Sequence, residues 1–343
     1  MLFKNKLLRF LVRTFSELPK PESSIRKSPR RILAVSTTAL GDTLWTMPAL
    51  ESLRRSFPDA YIAALTSKLG FEVLENNPWT DALYPLHHPL CLWRHLRGEF
   101  DTIFIFHASQ RFVAPLCASL GASRVIGTAG QSKGLDDLLT HLAIPKHQHE
   151  IERRLDLIRQ IAPVGSAPPL SFFLKPEEKI ELPGRWIALH PGANDSYKLW
   201  PLKHFAAVGR ALQKALSCNI LITGGASELP LMQELASLIP GAKLSDHKLS
   251  LRKFAATLNA VHLLISNDSG PFHLASALKT PALAVYSPTD PALCGPYNCP
   301  SSLVCAKPRT CSPCLRRKCR EPFCLLQIGP EEVIEKALKL LNL

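Results

Sequence analysis

Residues 261–290, VHLLISNDSGPFHLASALKTPALAVYSPTD, decide the fold class that the rest of the chain has to fit. The apolar run VHLLIS is typical of a buried strand, and the polar cluster NDSG that follows is typical of a tight turn. Asp268 or Ser269 can cap the next helix, and Pro271 suits its first position because no N–H donor is needed there. A second apolar run, ALAVYS, comes after the helix. The stretch therefore predicts a strand, a turn, a helix and a strand in succession.

A turn of small polar residues between a strand and a helix can bind an anion. Its backbone N–H groups are free, and the helix dipole adds positive potential. Open α/β sheets bind their ligands at such turns, at the carboxyl ends of the strands. An ordinary capped turn has the same composition, so this turn alone leaves both interpretations open.

Strands and helices are predicted to alternate throughout the chain, which indicates an α/β fold with parallel sheets. The 343 residues exceed what one hydrophobic core usually holds, so two domains are expected. After the strand RILAVS and the turn TTALGD a helix is predicted over 43–57, and LSFFL is a strand candidate within the Pro-rich segment 163–184. The predicted divisions are a basic N-terminal segment (1–30), a first Rossmann-like domain (31–165), a linker (166–184), a second Rossmann-like domain (185–330) and a C-terminal helix (331–343).

The composition is that of a soluble globular protein, with 46% hydrophobic and 20% charged residues. No apolar run reaches the roughly 18 residues of a membrane-spanning helix. The net charge of +13 favours an anionic partner. Nucleic-acid binding lacks a supporting motif of basic and aromatic residues. A dinucleotide-dependent dehydrogenase is disfavoured because no G-x-G-x-x-G follows a strand candidate.

The N-terminal segment mixes apolar and basic residues in a pattern typical of an amphipathic helix. Such a helix can lie on an anionic membrane surface, or it can pack on the body of the protein, and both interpretations remain open. Arg9 and Arg13 interrupt its apolar stretch, so it does not resemble a cleavable signal. We therefore expect a chain that stays in the reducing cytoplasm.

Four motifs occur in an order and spacing that resemble the heptosyltransferases of glycosyltransferase family 9. They are TTALGDTLWTMPAL (37–50), ALHPGANDSYKLWPLKHF (188–205), LITGGASE (221–228) and SNDSGPFHLASAL (266–278). Members of that family build the inner core of lipopolysaccharide from ADP-heptose. The resemblance implies a GT-B fold, in which two Rossmann-like domains face each other across a cleft. It also implies inverting transfer without a metal ion, with the acceptor on the N-terminal domain and the nucleotide sugar on the C-terminal domain.

Asp42 and Lys198 are the candidate catalytic residues. Asp42 lies in the turn after the first strand, where a carboxylate can take the proton of an acceptor hydroxyl; alternatively, it only caps the following helix. Lys198 lies in a turn of small polar residues and can contact a departing diphosphate, although most lysines are simply solvated. No D-x-D pair, the usual holder of a divalent ion in metal-dependent sugar transferases, occurs in the sequence.

The remaining candidate site residues belong to the donor. Glu228 suits ribose hydroxyls, or it stabilises a helix dipole from the first turn. His273 either contacts phosphate or is a satisfied buried histidine. Relatives that carry Thr near Ala193 make side-chain contacts in that turn doubtful, whereas backbone contacts survive. The donor-binding residues implied by the resemblance are Ala193, Asn194, Lys198, Glu228, Asp268, Ser269, Gly270 and His273.

The function expected from the resemblance is heptosyl transfer from ADP-heptose to a lipid A-core acceptor, at the cytoplasmic face of the inner membrane. CSPCLRRKC resembles the subgroup that adds the second heptose. The alternatives are a relative with another nucleotide sugar or acceptor, and a non-catalytic nucleotide-sugar-binding protein.

Ten cysteines is a large number for a cytoplasmic chain. Cys91, Cys117 and Cys218 lie in apolar segments and are predicted to be core residues. The late cysteines include four in the pattern C-x₂-C-x₄-C-x₄-C, which can supply a tetrahedral zinc site or form a surface loop of reduced thiols. These four, the candidate ligands of a structural zinc ion, are Cys311, Cys314, Cys319 and Cys324. Catalysis itself is expected to need no cofactor.

Overall fold

The computed structural model of the chain describes residues 2–15, 28–309, 311, 314 and 318–342. They form two compact units, Met1–Pro168 and Pro169–Leu343. The division falls inside the segment 166–184. Each unit contains one parallel sheet with helices packed against it, and the predicted α/β fold class is therefore confirmed.

The first unit has a six-stranded sheet in the order β3-β2-β1-β4-β5-β6. Its strands are β1 (Arg31–Ser36), β2 (Tyr61–Thr66), β3 (Ala82–Pro85), β4 (Thr102–His107), β5 (Arg124–Thr128) and β6 (His141–Ala143). Its helices are α1 (Leu2–Phe15), α2 (Leu40–Leu44), α3 (Met47–Ser56), α4 (Lys68–Leu74), α5 (Pro89–Leu96), α6 (Val113–Ser119) and α7 (Glu150–Ile158).

The second unit repeats this arrangement, with the sheet order β12-β11-β10-β7-β8-β9. Its strands are β7 (Trp186–His190), β8 (Asn219–Ile222), β9 (Lys243–Leu244), β10 (Leu263–Asn267), β11 (Ala282–Tyr286) and β12 (Ser302–Ala306). Its helices are α8 (Leu202–Leu216), α9 (Leu229–Ser237), α10 (Leu251–Ala260), α11 (Gly270–Leu278), α12 (Pro291–Cys294), α13 (Phe323–Leu326) and α14 (Pro330–Leu340).

Both sheets reverse their direction of growth at their middle. In the first unit the chain builds outward from β1 through β2 to β3, and then returns to place β4 on the other side of β1. In the second unit β7 and β10 are the corresponding neighbours. A crevice forms where two strands diverge in this way, at their carboxyl ends, and it is where sheets of this kind bind ligands. In each unit, therefore, the expected position of a ligand site is the crevice at the carboxyl ends of these two neighbouring strands.

The core of the second unit shows why its strands are continuous apolar runs. β7, β10 and β11 are buried along their whole length because helices cover both faces of a parallel sheet. Trp200 and Phe205 pack edge to face at 5.0 Å, and the Trp200 indole N–H donates to the carbonyl of Ile328 at 2.9 Å. This bond satisfies the polar atom of a side chain that is only 1% exposed.

The helix predicted over 43–57 begins earlier and is interrupted. α2 begins at Leu40, and a turn at Trp45 and Thr46 separates it from α3. The hydroxyls of Thr43 and Thr46 donate to the carbonyls four residues before them, a bond that bends a helix.

Two further sequence predictions are wrong. LSFFL is not a strand. Instead, the carbonyl of Phe173 accepts a hydrogen bond from Arg252, a side-chain partner that satisfies the backbone outside a sheet. Cys91 is exposed, because it lies on the outer face of α5, whereas Cys117 and Cys218 are buried as predicted.

Helix α1 packs on the first unit, so the interpretation of a helix docked on the body is confirmed. Val12 is buried in a small apolar cluster with Leu135 and Leu138. Arg9 donates to both carboxylate oxygens of Asp137, at 2.7 and 2.8 Å. None of the helices in the described part of the chain is long and apolar enough to cross a membrane.

Candidate active site

Asp42 lies at the switch point of the first sheet, in the first turn of α2, directly after β1. The N-cap of that helix is Ala39, so the alternative role of Asp42 as the capping residue is wrong. One carboxylate oxygen is 3.4 Å from the guanidinium of Arg154, and the other is 3.7 Å from Nδ1 of His107. The side chain is 22% exposed and is therefore held on one side and open on the other.

Arg154 is a buried cation that fixes this turn. Its guanidinium also contacts the backbone carbonyl of Asp42 at 3.4 Å and the hydroxyl of Thr46 at 3.3 Å. Burial lowers the pKa of Arg154, and the carboxylate of Glu150, 3.0 Å away, opposes that shift. A buried charge with two carboxylate partners and hydrogen bonds to Thr46 and to two backbone carbonyls is costly to move, so Arg154 is a rigid support for Asp42.

His107 completes the environment of Asp42 from the end of β4. Its Nδ1 atom is 2.9 Å from the hydroxyl of Thr38. Burial lowers the pKa of His107, and the neighbouring Asp42 carboxylate only partly offsets that effect. His107 is therefore a neutral imidazole near pH 7, able to exchange hydrogen bonds with a hydroxyl or with Asp42.

Lys198 and Asp268 form an ion pair at the switch point of the second sheet. Lys198 Nζ lies 2.6 Å from a carboxylate oxygen of Asp268, and their side chains are 19% and 7% exposed. Burial lowers the pKa of Lys198, but the Asp268 carboxylate outweighs burial, and the net shift is upward. Lys198 is thus a fixed ammonium group that retains two further N–H donors.

Asn267 joins the two loops that carry the predicted donor residues. Its side-chain oxygen accepts from the backbone N–H of Trp200 at 3.0 Å, just after Lys198. Its amide nitrogen donates to the carbonyls of Pro191 and Gly192, at 2.7 and 3.3 Å. Because Asn267 is fully buried at the end of β10, it fixes both loops relative to the sheet.

Glu228 lies over the loop after β7. Its carboxylate accepts from the backbone N–H of Gly225 at 2.7 Å and is 3.8 Å from Nε2 of His190. A Cβ atom on Gly192 would stand 1.8 Å from a Glu228 oxygen, so only glycine allows this approach. The structure therefore gives Glu228 a role in shaping its turn, and the ribose contact stays a prediction.

The other predicted donor residues surround the start of α11 and the loop after β7. Ser269 is the N-cap of α11, and its shielded hydroxyl has no hydrogen-bond partner among the described residues. Gly270 begins the helix, so its N–H is one of the amides that a helix start leaves free. His273 is 3% exposed and packs against Phe272, which places it in the core. Ala193 and Asn194 lie in the loop after β7, with Asn194 exposed.

Sequence reasoning missed His107, Arg154 and Asn267. His107 ends the apolar run DTIFIFH (101–107), which the sequence predicts to be a strand, but only the sheet order places that strand beside β1. Arg154 shares the buried face of α7 with Ile151 and Ile158, at helical spacing, so an arginine on an apolar stripe was the available signal. Asn267 lies inside the NDSG turn.

Comparison with known families identifies the chain. A family model described as glycosyltransferase family 9 (heptosyltransferase) matches residues 90–324, more than two-thirds of the sequence. The chain belongs to this family. It is therefore a glycosyltransferase, and Asp42, Lys198 and Asp268 are candidate active-site residues of a family 9 enzyme.

Similar proteins agree with this membership over nearly the whole chain. Lipooligosaccharide heptosyltransferase 2 of Campylobacter jejuni is 26% identical over 318 residues, which cover 89% of this chain and 96% of the relative. The structure of Escherichia coli ADP-heptose LPS heptosyltransferase II superimposes with a TM-score of 0.76 at 19% identity, covering 91% of this chain and 98% of that one. Escherichia coli heptosyltransferase WaaC with ADP gives a TM-score of 0.72 at 20% identity, covering 90% and 99%. The family 9 enzyme thus has the GT-B glycosyltransferase fold.

Proposed function

We propose that this family 9 enzyme transfers heptose from ADP-heptose to the inner core of lipopolysaccharide, with inversion at the sugar and without a metal ion. The observation that carries the proposal is the position of Asp42, at the switch point of the first sheet between buried Arg154 and neutral His107. A similar protein bears the name heptosyltransferase 2, and a solved relative contains ADP.

The chemistry assigned to the first unit is proton removal. Asp42 accepts the proton of an acceptor hydroxyl while the hydroxyl oxygen attacks the anomeric carbon of the heptose. The bond from that carbon to the diphosphate oxygen breaks, and its electron pair leaves with ADP. Attack opposite the leaving group inverts the anomeric centre. A positioned carboxylate of this kind contributes about 10²–10⁴-fold to the rate.

The chemistry assigned to the second unit is stabilisation of the departing diphosphate. Lys198 supplies a fixed positive charge, and the first-turn amides of α11 add N–H donors and the positive end of a nine-residue helix. The hydroxyl of Ser269 is a further donor. Asp268 is assigned to sugar hydroxyls, Glu228 to the ribose, and Ala193 and Asn194 to backbone contacts with phosphate.

A lipid-linked acceptor requires the enzyme to reach the inner membrane, and α1 is proposed to make that contact from the cytoplasmic side. Among the side chains of α1 that the structure describes, those that pack on the first unit lie on one face. Leu7 and Phe10, one turn apart, are 50% and 65% exposed, and Lys6 is exposed beside them. Apolar side chains next to a lysine suit the boundary of an anionic membrane.

The alternative is a family relative that uses another nucleotide sugar or another acceptor. This alternative is supported by the similar proteins, which include heptosyltransferases 1, 2 and 3. Their identities to this chain are nearly equal, between 24% and 26%. The names indicate different transfers, and identity at this level does not choose among them.

Thermal stabilisation by a panel of nucleotide sugars tests the donor. We expect ADP-heptose to raise the Tm more than GDP- or UDP-sugars, and more than ADP-glucose. Lys198→Ala should weaken this stabilisation and slow transfer by about 10²–10³-fold, the usual loss for one fixed transition-state donor. Lys203→Ala, which removes an exposed lysine of α8, is the matched control and should change neither. Selective stabilisation by a GDP- or UDP-sugar would overturn the proposed donor.

A further inference from the structure

Four cysteines that are separated in sequence line a single pocket of the second unit. Cys311, Cys314, Cys319 and Cys324 all contribute to its wall, and its volume is about 620 Å³. Tyr197, the residue before Lys198, lines the same pocket. The catalytic scheme uses neither the pocket nor its thiols.

The pocket cysteines differ from the core cysteines of the chain. Burial raises the pKa of the Cys117 thiol to about 12 and that of Cys305 to about 11, which makes both inert as ligands. Cys311 is exposed, and Cys314 and Cys319 are half-buried, so solvent and ions reach them. Cys324 is buried at the start of α13 and anchors the group to the fold. All four are free thiols.

The described residues around these cysteines have little regular structure to stabilise them. The described residues between β12 and α13 belong to no strand. Residues 307–324 contain six basic residues and a single acidic one, so their charges repel one another. Four thiolates around a divalent cation carry a net charge of −2, which would offset this repulsion. A metal cross-link also supplies the folding free energy that a segment without a core lacks.

The spacing of these four free thiols favours a metal ion over disulfides. Cys-x₂-Cys lets two thiolates reach one ion, and two more thiols complete a tetrahedron. A tetrahedral set of four sulfur ligands selects zinc or iron among the common metals. In the structure as it stands, no three His, Cys, Asp or Glu side chains of the described residues are spaced to hold an ion. Binding would therefore draw the three more exposed cysteines inward toward Cys324.

We propose that Cys311, Cys314, Cys319 and Cys324 bind one thiophilic divalent ion of the zinc class, which cross-links these four described cysteines at the wall that contains Tyr197. The role is structural, and the proposal does not depend on the donor or acceptor assigned above.

Elemental analysis and cobalt substitution test the site in the full chain, purified under reducing conditions. We expect about one equivalent of zinc or iron per chain. After metal removal, one equivalent of Co²⁺ should bind with thiolate-to-cobalt charge-transfer absorption, which Zn²⁺ then abolishes. Cys311→Ser and Cys319→Ser should each weaken Co²⁺ binding by more than about 100-fold, because even loss of an outer-sphere partner costs about 10–100-fold.

Cys91→Ser is the matched control, since it removes an exposed thiol of the first unit and should leave the cobalt spectrum unchanged. The proposal remains testable even if the serine variants misfold, because the unmodified chain must by itself contain the metal and show the charge-transfer spectrum. Less than about half an equivalent of bound metal, with all four thiols open to titration and no charge-transfer band, would overturn the proposal. A disulfide between any two of the four in freshly reduced protein would overturn it as well.

Discussion

Asp42 shows how one carboxylate is prepared for a proton transfer by residues far away in the sequence. The sequence supplies only the turn after β1. Arg154, 112 positions later, fixes both the backbone carbonyl and the carboxylate of Asp42, and His107 approaches from the adjacent strand. The carboxylate can therefore turn little, and a fixed orientation is what a base needs to meet an acceptor hydroxyl.

Asp42→Asn is expected to keep donor binding and to lose transfer. The amide has the shape of the carboxylate but cannot accept the acceptor proton, so kcat should fall by about 10²–10⁴-fold. Calorimetry with ADP should show an unchanged Kd, since the donor contacts are assigned to the second unit. Asp59→Asn is the control, because Asp59 precedes β2 at the opposite end of the sheet and is exposed. Retention of most of the transfer rate in Asp42→Asn would mean that another group is the base.

At the scale of elements, α1 has one face that packs on the first unit and another that is exposed. Asn5, Arg9 and Val12 face the first unit, where Asn5 contacts the backbone of Lys133 and the guanidinium of Arg111. Deleting the helix would therefore expose the apolar cluster beneath it, and the result would confuse loss of a membrane contact with loss of packing. Substitutions on the outward face separate the two effects.

The double substitution Leu7→Ser and Phe10→Ser is expected to reduce binding to vesicles that contain anionic lipid while leaving the Tm almost unchanged. Both side chains are largely exposed, so the fold gains little from them. Co-sedimentation at low and at high salt measures the effect. Ile144→Ser removes a side chain that is 77% exposed elsewhere on the first unit, and it should have no effect on sedimentation. Equal vesicle binding by the double variant and the parent protein would exclude α1 as the membrane contact.

At the scale of the whole molecule, buried histidines and paired carboxylates are expected to make the stability fall in two stages as the pH is lowered. Burial lowers the pKa of His107, beside Asp42 and Arg154, and of His190, beside Glu228. A histidine with a lowered folded pKa contributes its full stability above its unfolded pKa of about 6.5. That contribution is lost as the pH falls through the lower, folded value.

The paired carboxylates lose their contribution at lower pH. The hydrogen bond from Arg252 lowers the pKa of Glu178 to about 2, and Arg154 and Arg153 outweigh burial to lower that of Glu150. Groups of this kind stabilise the fold above their unfolded pKa of about 4.3 and lose that effect as the pH falls through the folded value.

We therefore expect the Tm to be constant between about pH 7 and 8, to decline below about 6.5, and to fall steeply below about 4.3. Thermal unfolding in a series of buffers at constant ionic strength measures this profile. Replacing His107 and His190 by Gln, which does not titrate, should reduce the first decline and leave the second. His141 and His204, whose pKa values burial also lowers, still contribute to the first decline. A parent protein whose Tm does not change between pH 7 and 5 would contradict the role given to the histidines.

The sequence by itself determined the local elements and much of the candidate site. The apolar parts of runs such as RILAVS and VHLLIS became buried strands, over residues 32–36 and 263–267, because both faces of a parallel sheet are covered. The NDSG turn identified Asp268 and Ser269 as candidate site residues, because a tight turn before a helix favours those residue types. Four short motifs at a characteristic spacing were enough to indicate the family.

Tertiary structure decided which side chains meet. His107 approaches Asp42 only because β4 pairs with β1, and the order of strands is set by packing between distant segments rather than by any local pattern. Arg154 and Asn267 acquired their roles through contacts 112 and 67 to 76 residues away in sequence. LSFFL has the composition of a strand but pairs with no strand, and α1 is amphipathic in a way that suits both a membrane and a protein surface. In each case the outcome depended on contacts with residues that are distant in the sequence, and the local sequence does not contain that information.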